Sequence, residues 1–365
     1  MSYFKVSYET LQTLARSGRH DLVAGFLVLA RHASGRRHAG FEPYKLSGAS
    51  VNGLREKAGL SEETARGVLD DLQRQGLIQP TSPETKKAFF HARWEVVQGP
   101  LDLDLPHAIT DGVKDGSADS ALMRLQKHRI ASPAHAERLS KVSDTELRLD
   151  ALMLMLGVYK HTSMQRFGGL NPLCIRRAWN IKSRQPKAGG VRWGAEPDHE
   201  NTSVAYTVFM KEVLGHMKKM TEKSGDLTDE ARNRFWNAWH VIREAGLVYE
   251  AVSLYDTEPD ENPLARFRMT IRVNDYHAGS TTKTGDPSLL REIEDSYGTK
   301  FGYYTRADNE REEPEAMWVI LPDARGALVG IWRPRFRCSN QDAGAWIAEE
   351  TQAIKEEMSV IATFA

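Results

Sequence analysis

Two cysteines in 365 residues, no long apolar run and no net charge of either sign set the first limits on this chain. Two thiols, Cys174 and Cys338, neither build a zinc site alone nor suggest a disulfide framework. The longest apolar stretch, residues 149–158, is too short to span a bilayer, so no membrane partner is expected. The first residues, MSYFKVSYETLQ, lack the basic and apolar regions of a signal peptide, which leads to a cytoplasmic expectation. Catalytic signatures are missing too. The chain has no HExxH, no GxxxxGK[ST] and no GxSxG, and no cluster of Cys and His. Two weaker features do not change this: the acidic loop around Asp256, Glu258, Asp260 and Glu261 reads as a solvated hairpin tip, and the pair Tyr303-Tyr304, which could be nucleophiles, lacks nearby metal-binding histidines. The expectation is a binding protein and not an enzyme, with no cofactor and no metal.

What is present is enough apolar content, 41%, for packed cores, and a length that suits two or three domains. The zero net charge hides an asymmetry. Residues 1–195 carry 29 Lys/Arg against 19 Asp/Glu, a surplus of ten; residues 196–365 carry 20 against 30, a deficit of ten. A polyanion partner for the basic half explains this, and so does neutralisation of one half by the other.

The pattern along the chain reads as α+β, mainly helical with small sheets. Helices are expected over 8–16 and 20–32, the second with Leu22, Phe26, Leu29 and Ala30 on one face. A helix over 49–58 ends at Gly59. Ser61 then caps the next one, whose first turn holds Glu62 and Glu63, where the helix dipole favours acids. Ala65, Val68, Leu69 and Leu72 recur at helical spacing, and Gly76 stops the helix. A strand from Leu77, a polar loop over 80–87 and a return strand over 88–97 complete a first module, residues 1–100.

An acidic linker over 101–120 leads into a helical segment that extends to residue 200. It contains an apolar helix over 144–159, a short helix over 173–181 and a Gly/Pro loop over 185–197. A helical pair over 203–223 and 228–245, then strands over 248–255 and 266–273, form a second module at 201–285. Leu69-xx-Leu72-xxx-Gly76-Leu77-Ile78 is echoed by Trp239-xx-Ile242-xxx-Gly246-Leu247-Val248. Residues 286–365 read as a small α+β unit, with strands over 316–321 and 327–336 and helices over 287–297 and 341–359. Arg333, Arg335 and Arg337 alternate along its second strand.

Three elements are candidate contacts. In the helix over 61–75, Arg66 suits a guanine edge and Thr64 a phosphate or thymine methyl. Arg74 points outward, and Lys86 and Lys87 sit at the loop tip beside the backbone. Between Asp150 and Glu196 there is no acid, whereas Lys160, Arg166, Arg176, Arg177, Lys182, Arg184, Lys187 and Arg192 are present, with Trp179 and Trp193 among them. That window reads either as a phosphate-binding surface or as a basic face paired with the acidic half. In the second module, Arg232, Asn233, Arg234 and Asn237 lie near the start of the helix and suit guanine and adenine edges.

The segment LREKAGLSEETARGVLDDLQRQGLI, as it stands at 54–78, resembles winged helix-turn-helix proteins of the bacterial transcription-factor type. The resemblance covers about fifty residues and implies a helix in the major groove of double-stranded DNA, and frequently a homodimer. Two such modules in a chain of this size also resemble, more distantly, the replication initiators of plasmids. One property departs from the pattern. Residues 50–97 hold seven basic and seven acidic side chains, so this module has no surplus charge with which to hold DNA. A regulator, an initiator and a winged-helix scaffold within a protein complex therefore all remain open.

Overall fold

The computed structural model describes residues 3–33, 45–83, 93–112, 119–128, 143–184, 192–197, 204–255, 259, 265, 267–274, 303–305, 317–319 and 327–336. The chain is mixed helix and strand, and it divides into two compact units. The first comprises Met1–Lys160, Met210–Leu247 and Phe336–Ala343; the second comprises His161–Phe209, Val248–Arg335 and Gly344–Ala365.

The first unit opens with strand β1 (Tyr3–Val6) and helices α1 (Tyr8–Ala15) and α2 (His20–Ala33). Helix α2 carries eleven buried residues, Asp21 to Ala30 and Ala33, so it is the central strut on which neighbouring elements pack. After the two-residue strand β2 (Leu46–Ser47) come α3 (Val51–Ala58) and α4 (Glu62–Arg74). The turn between them follows the sequence. Gly59 adopts φ +68° at the end of α3, a conformation that costs glycine little. Ser61 accepts the Thr64 N–H at the start of α4. Strands β3 (Ile78–Pro80) and β4 (Trp94–Val96) follow, and the three short strands form one antiparallel sheet in the order β2-β4-β3. Within the stretch expected as an acidic linker, β5 (Leu103–Pro106) pairs with β1 along all four residues, and a single helical turn, α5 (Ala108–Asp111), follows it. Strand pairing across a hundred residues leaves no trace in local composition, which is why this stretch looks like a linker in sequence.

Helix α6 (Ala121–Lys127) sits against the α3–α4 turn, since a Cβ on Gly59 would lie 3.0 Å from Met123 and Gln126. Arg148 of α7 (Asp144–Lys160) donates to the terminal carbonyls of α6, from Leu125, Gln126 and His128. Helix α7 is buried almost all round between Leu147 and Val158, as an interior helix should be. Further along the chain, α10 (Asp229–Glu244) packs along it.

The second unit is built on an eight-stranded sheet. Its elements begin with β6 (Thr162–Ser163), α8 (Met164–Phe167) and β7 (Gly169–Leu170). Next come β8 (Ile175–Arg184), β9 (Arg192–Pro197), β10 (Val204–Ala205) and the start of α9 (Thr207–Val213), which crosses the unit boundary at Met210. Strands β11 (Val248–Tyr255), β12 (Phe267–Asn274), β13 (Tyr303–Thr305), β14 (Met317–Val319) and β15 (Ala327–Pro334) complete it. The sheet order is β12-β11-β15-β8-β9-β14-β13, with β10 also paired to β8. Three segments that read as separate in sequence thus meet in one sheet. Residues 173–181 are not a helix, because β8 runs from 175 to 184; the expected loop over 185–197 contains β9; and α9 replaces the longer helix expected over 203–223. Isoleucine and tryptophan at helical spacing in a ten-residue run do not separate a helix from a buried strand. The expected helices over 287–297 and 341–359 lie outside the described residues.

Candidate nucleic-acid interface

Helix α4 presents two faces set by its residue spacing. Ala65, Val68, Leu69 and Leu72 are buried. Their seat on α2 is close: a Cβ on Gly25 would come within 2.5 Å of a Val68 methyl, so only glycine admits this approach. On the opposite side Glu62, Glu63, Arg66, Asp70, Gln73 and Arg74 are exposed. Arg66 donates to Glu62 at 2.7 Å, one helical turn back. The other oxygen of Glu62 accepts from Arg55 of α3 at 3.5 Å, and Arg55 also meets Asn52 at 3.5 Å. The Arg66 hydrogen bond, followed by the charges of Arg66 and Arg55, holds the Glu62 carboxyl below its ordinary range. Arg74 pairs with Asp71 at 3.0 Å, and Asp71 is held from the other side by Arg19. The Thr64 hydroxyl lies 2.8 Å from that of Ser61 and is therefore part of the cap. Lys86 and Lys87 lie outside the described residues.

Among the described residues of the acid-free window, several cations are paired or buried. In the first unit Lys160 pairs with Glu212 at 2.9 Å and lies over the Tyr8 ring at 4.2 Å. In the second unit Arg176 is buried, and Arg177 pairs with the fully buried Glu250 at 3.2 Å. Glu250 of β11 reaches Arg177 of β8 across the intervening strand β15. Arg166 is exposed, its guanidinium 4.9 Å from the Phe167 ring. Lys182 and Arg184 belong to β8 and Arg192 to β9, where the description is of the backbone. Lys187 lies outside the described residues. Of the tail's alternating arginines, Arg333 and Arg335 are buried, and Arg337 lies outside the described residues.

Helix α10 divides the four candidates at its start. Arg232 and Asn233 are exposed, and Asn237 is half-buried. Arg234, by contrast, lies inside the core. Its guanidinium donates to both oxygens of Asp150 on α7, at 2.7 and 2.8 Å, and reaches Glu146 at 3.4 Å. His216 meets the same Asp150 at 2.7 Å. Burial alone would lower the guanidinium's affinity for its proton, but the hydrogen bond and charge of Asp150 outweigh it and raise it. The reading of Arg234 as a base contact is thereby corrected: its Nε and Nη2 are engaged by the buried Asp150 and its Nη1 by Glu146, so the fork holds a buried carboxylate in the core. One signal of this cluster was open in the sequence, because Asp150 is a single acid inside an apolar helix and such a group requires a partner. Arg55 was missed as a candidate, since α3 has no distinctive charge pattern of its own.

Among the described residues no helix is long and apolar enough to cross a membrane, and no group of three or more His, Cys, Asp or Glu is placed to hold a metal ion. Compared with protein-family models, with curated proteins and with solved structures, the chain has no significant match.

Proposed function

We propose that this chain binds double-stranded DNA through a winged helix-turn-helix formed by α2, α3, α4 and the β2-β4-β3 sheet, and that it acts as a sequence-specific regulator of transcription, as a homodimer. The observation that carries this reading is the two-faced α4. One side is seated by four apolar residues and a glycine contact, and the other is left open with polar side chains. The three-stranded sheet supports it, with the loop between β3 and β4 as the wing. In this reading α4 enters the major groove and α3 crosses the phosphate backbone. Arg66 and Arg74 on α4 and Arg232 on α10 are exposed cations of the first unit.

The test is binding to random duplex DNA as salt is varied. Each phosphate contact adds about −0.9 to the log–log slope, so affinity should fall as salt rises. Flat or absent binding at low salt removes the proposal. A regulator protects a short palindrome in a footprint, whereas a replication initiator protects several direct repeats and opens neighbouring AT-rich DNA.

A second reading, a scaffold whose winged helix contacts protein, is favoured by one observation. Lys160, Arg177 and Arg234 are occupied by Glu212, Glu250 and Asp150 within their own units. Those cations support the fold. Salt-insensitive capture of a protein partner, with no duplex binding, would select this reading.

A further inference from the structure

Glu62 lies on the side of α4 that would meet phosphates, where a carboxylate is repelled. The structure also gives it two partners on two helices: Arg66 on its own helix at 2.7 Å and Arg55 across the turn at 3.5 Å. Each arginine engages a different carboxylate oxygen through one terminal nitrogen, Nη2 of Arg66 and Nη1 of Arg55. A guanidinium has five N–H donors, so each fork keeps the second terminal nitrogen and Nε for another acceptor. Asn52 accepts from Arg55 on the α3 side.

We infer that Glu62 is a positioning residue that orders Arg66 to read a guanine edge and Arg55 to grip the flanking phosphate, an assignment that rests on the DNA-binding reading above. Arg66 on α4 belongs to the helix that enters the groove, and a bidentate Arg contact to guanine O6 and N7 requires a fixed fork. Arg55 on α3 belongs to the helix that crosses the backbone. A carboxylate bridging both removes rotamer freedom before DNA arrives, so less ordering remains to be done on binding. The acids on this face are therefore not all equivalent. Glu62 is tied to two cations, whereas among the described residues neither Glu63 nor Asp70 forms an ion pair.

The inference makes a prediction opposite in sign to simple electrostatics. Removing a negative charge from a DNA-facing helix should tighten binding to every duplex alike. If Glu62 positions the arginines, Glu62→Gln leaves affinity for a scrambled duplex unchanged or higher. Its preference for a duplex enriched from a randomised library by the wild-type protein should meanwhile fall, by about tenfold, the scale of one good bidentate contact. Glu62→Asp keeps the charge but shortens the reach by one methylene, and should lose preference while keeping the wild-type salt slope. Arg66→Ala should lose the same preference and Arg55→Ala should weaken both duplexes equally. Because Glu62 and Arg66 are exposed, circular dichroism melts of these variants should overlay the wild type. An unchanged preference ratio in Glu62→Gln overturns the inference and leaves DNA binding standing. Failure of the wild-type chain to bind any duplex overturns both.

Discussion

Helices α4 and α10 begin and end by the same local rules. Ser61 accepts the Thr64 N–H at the head of α4, and Thr228 accepts the Ala231 N–H at the head of α10. Each has two acids in its first turn. At the other end, Gly76 and Gly246 take φ +73° and +64°, and the N–H of the next leucine returns to the carbonyl of Leu72 or Ile242 at 3.0 or 2.9 Å. Arginines inside the two helices then diverge. Arg66 is exposed and paired to a neighbour on its own helix, while Arg234 is buried against α7. Capping and exit signals specify where a helix starts and stops; what the helix is used for depends on what packs beside it. Helix α10 faces a buried acid, and α4 does not.

The largest expected effect tests that contrast directly. Arg234→Ala leaves Asp150 buried with only His216 and should cost about 3–5 kcal/mol in denaturant unfolding, whereas Arg66→Ala should stay within about 0.5 kcal/mol. Equal effects would mean that the two arginines are not differently employed. Next, Gly25→Ala drives a methyl group toward Val68 and should destabilise the first unit by about 1–3 kcal/mol; the paired change with Val68→Ala should recover part of that loss. The caps should respond alike. Ser61→Ala and Thr228→Ala are each expected to cost about 1 kcal/mol, so a silent cap would mark the helix whose start is held by packing instead.

The smallest effect concerns acid. Asp111 is partly buried, which would raise its pKa, but the hydrogen bond of Lys57 and the charges of Arg31 and Lys57 prevail and lower it. A depressed carboxyl contributes stability above its unfolded value and loses it as pH falls through the folded one. The gap in stability between the wild type and Asp111→Asn should therefore be constant at neutral pH and narrow below about pH 4.

Helix ends, turn glycines and the buried faces of α2, α4 and α7 were legible in the sequence, because each rests on residues within a few positions of one another. Ser61, Gly59 and the Ala65-Val68-Leu69-Leu72 stripe are of this kind. Long-range pairing was not legible. Nothing near Arg177 indicates Glu250, and nothing in the run at 175–184 indicates that it lies between β15 and β9. In the acid-free window the sequence left open whether the cations are paired, and the acids that meet Lys160 and Arg177 come from other parts of the chain. Of the candidate contacts, Arg66 and Arg74 on α4 and Arg232 and Asn233 on α10 lie on exposed sides, as their helical positions implied.

The placement of β15 carries a consequence for synthesis on the ribosome. This strand pairs with β11 on one side and β8 on the other, with Val329 opposite Ser253 and Ala178. Until it is made, β11 and β8 each lack a neighbour, and their unpaired edges are open to any other extended chain. The second unit must therefore wait for residues 327–334, and its slow step is a closure over about 150 residues of sequence. The α2–α3–α4 part of the first unit closes over local contacts and does not wait. Premature termination before residue 327 should leave a protein whose exposed strands aggregate, even though every helix of the proposed interface has already been translated.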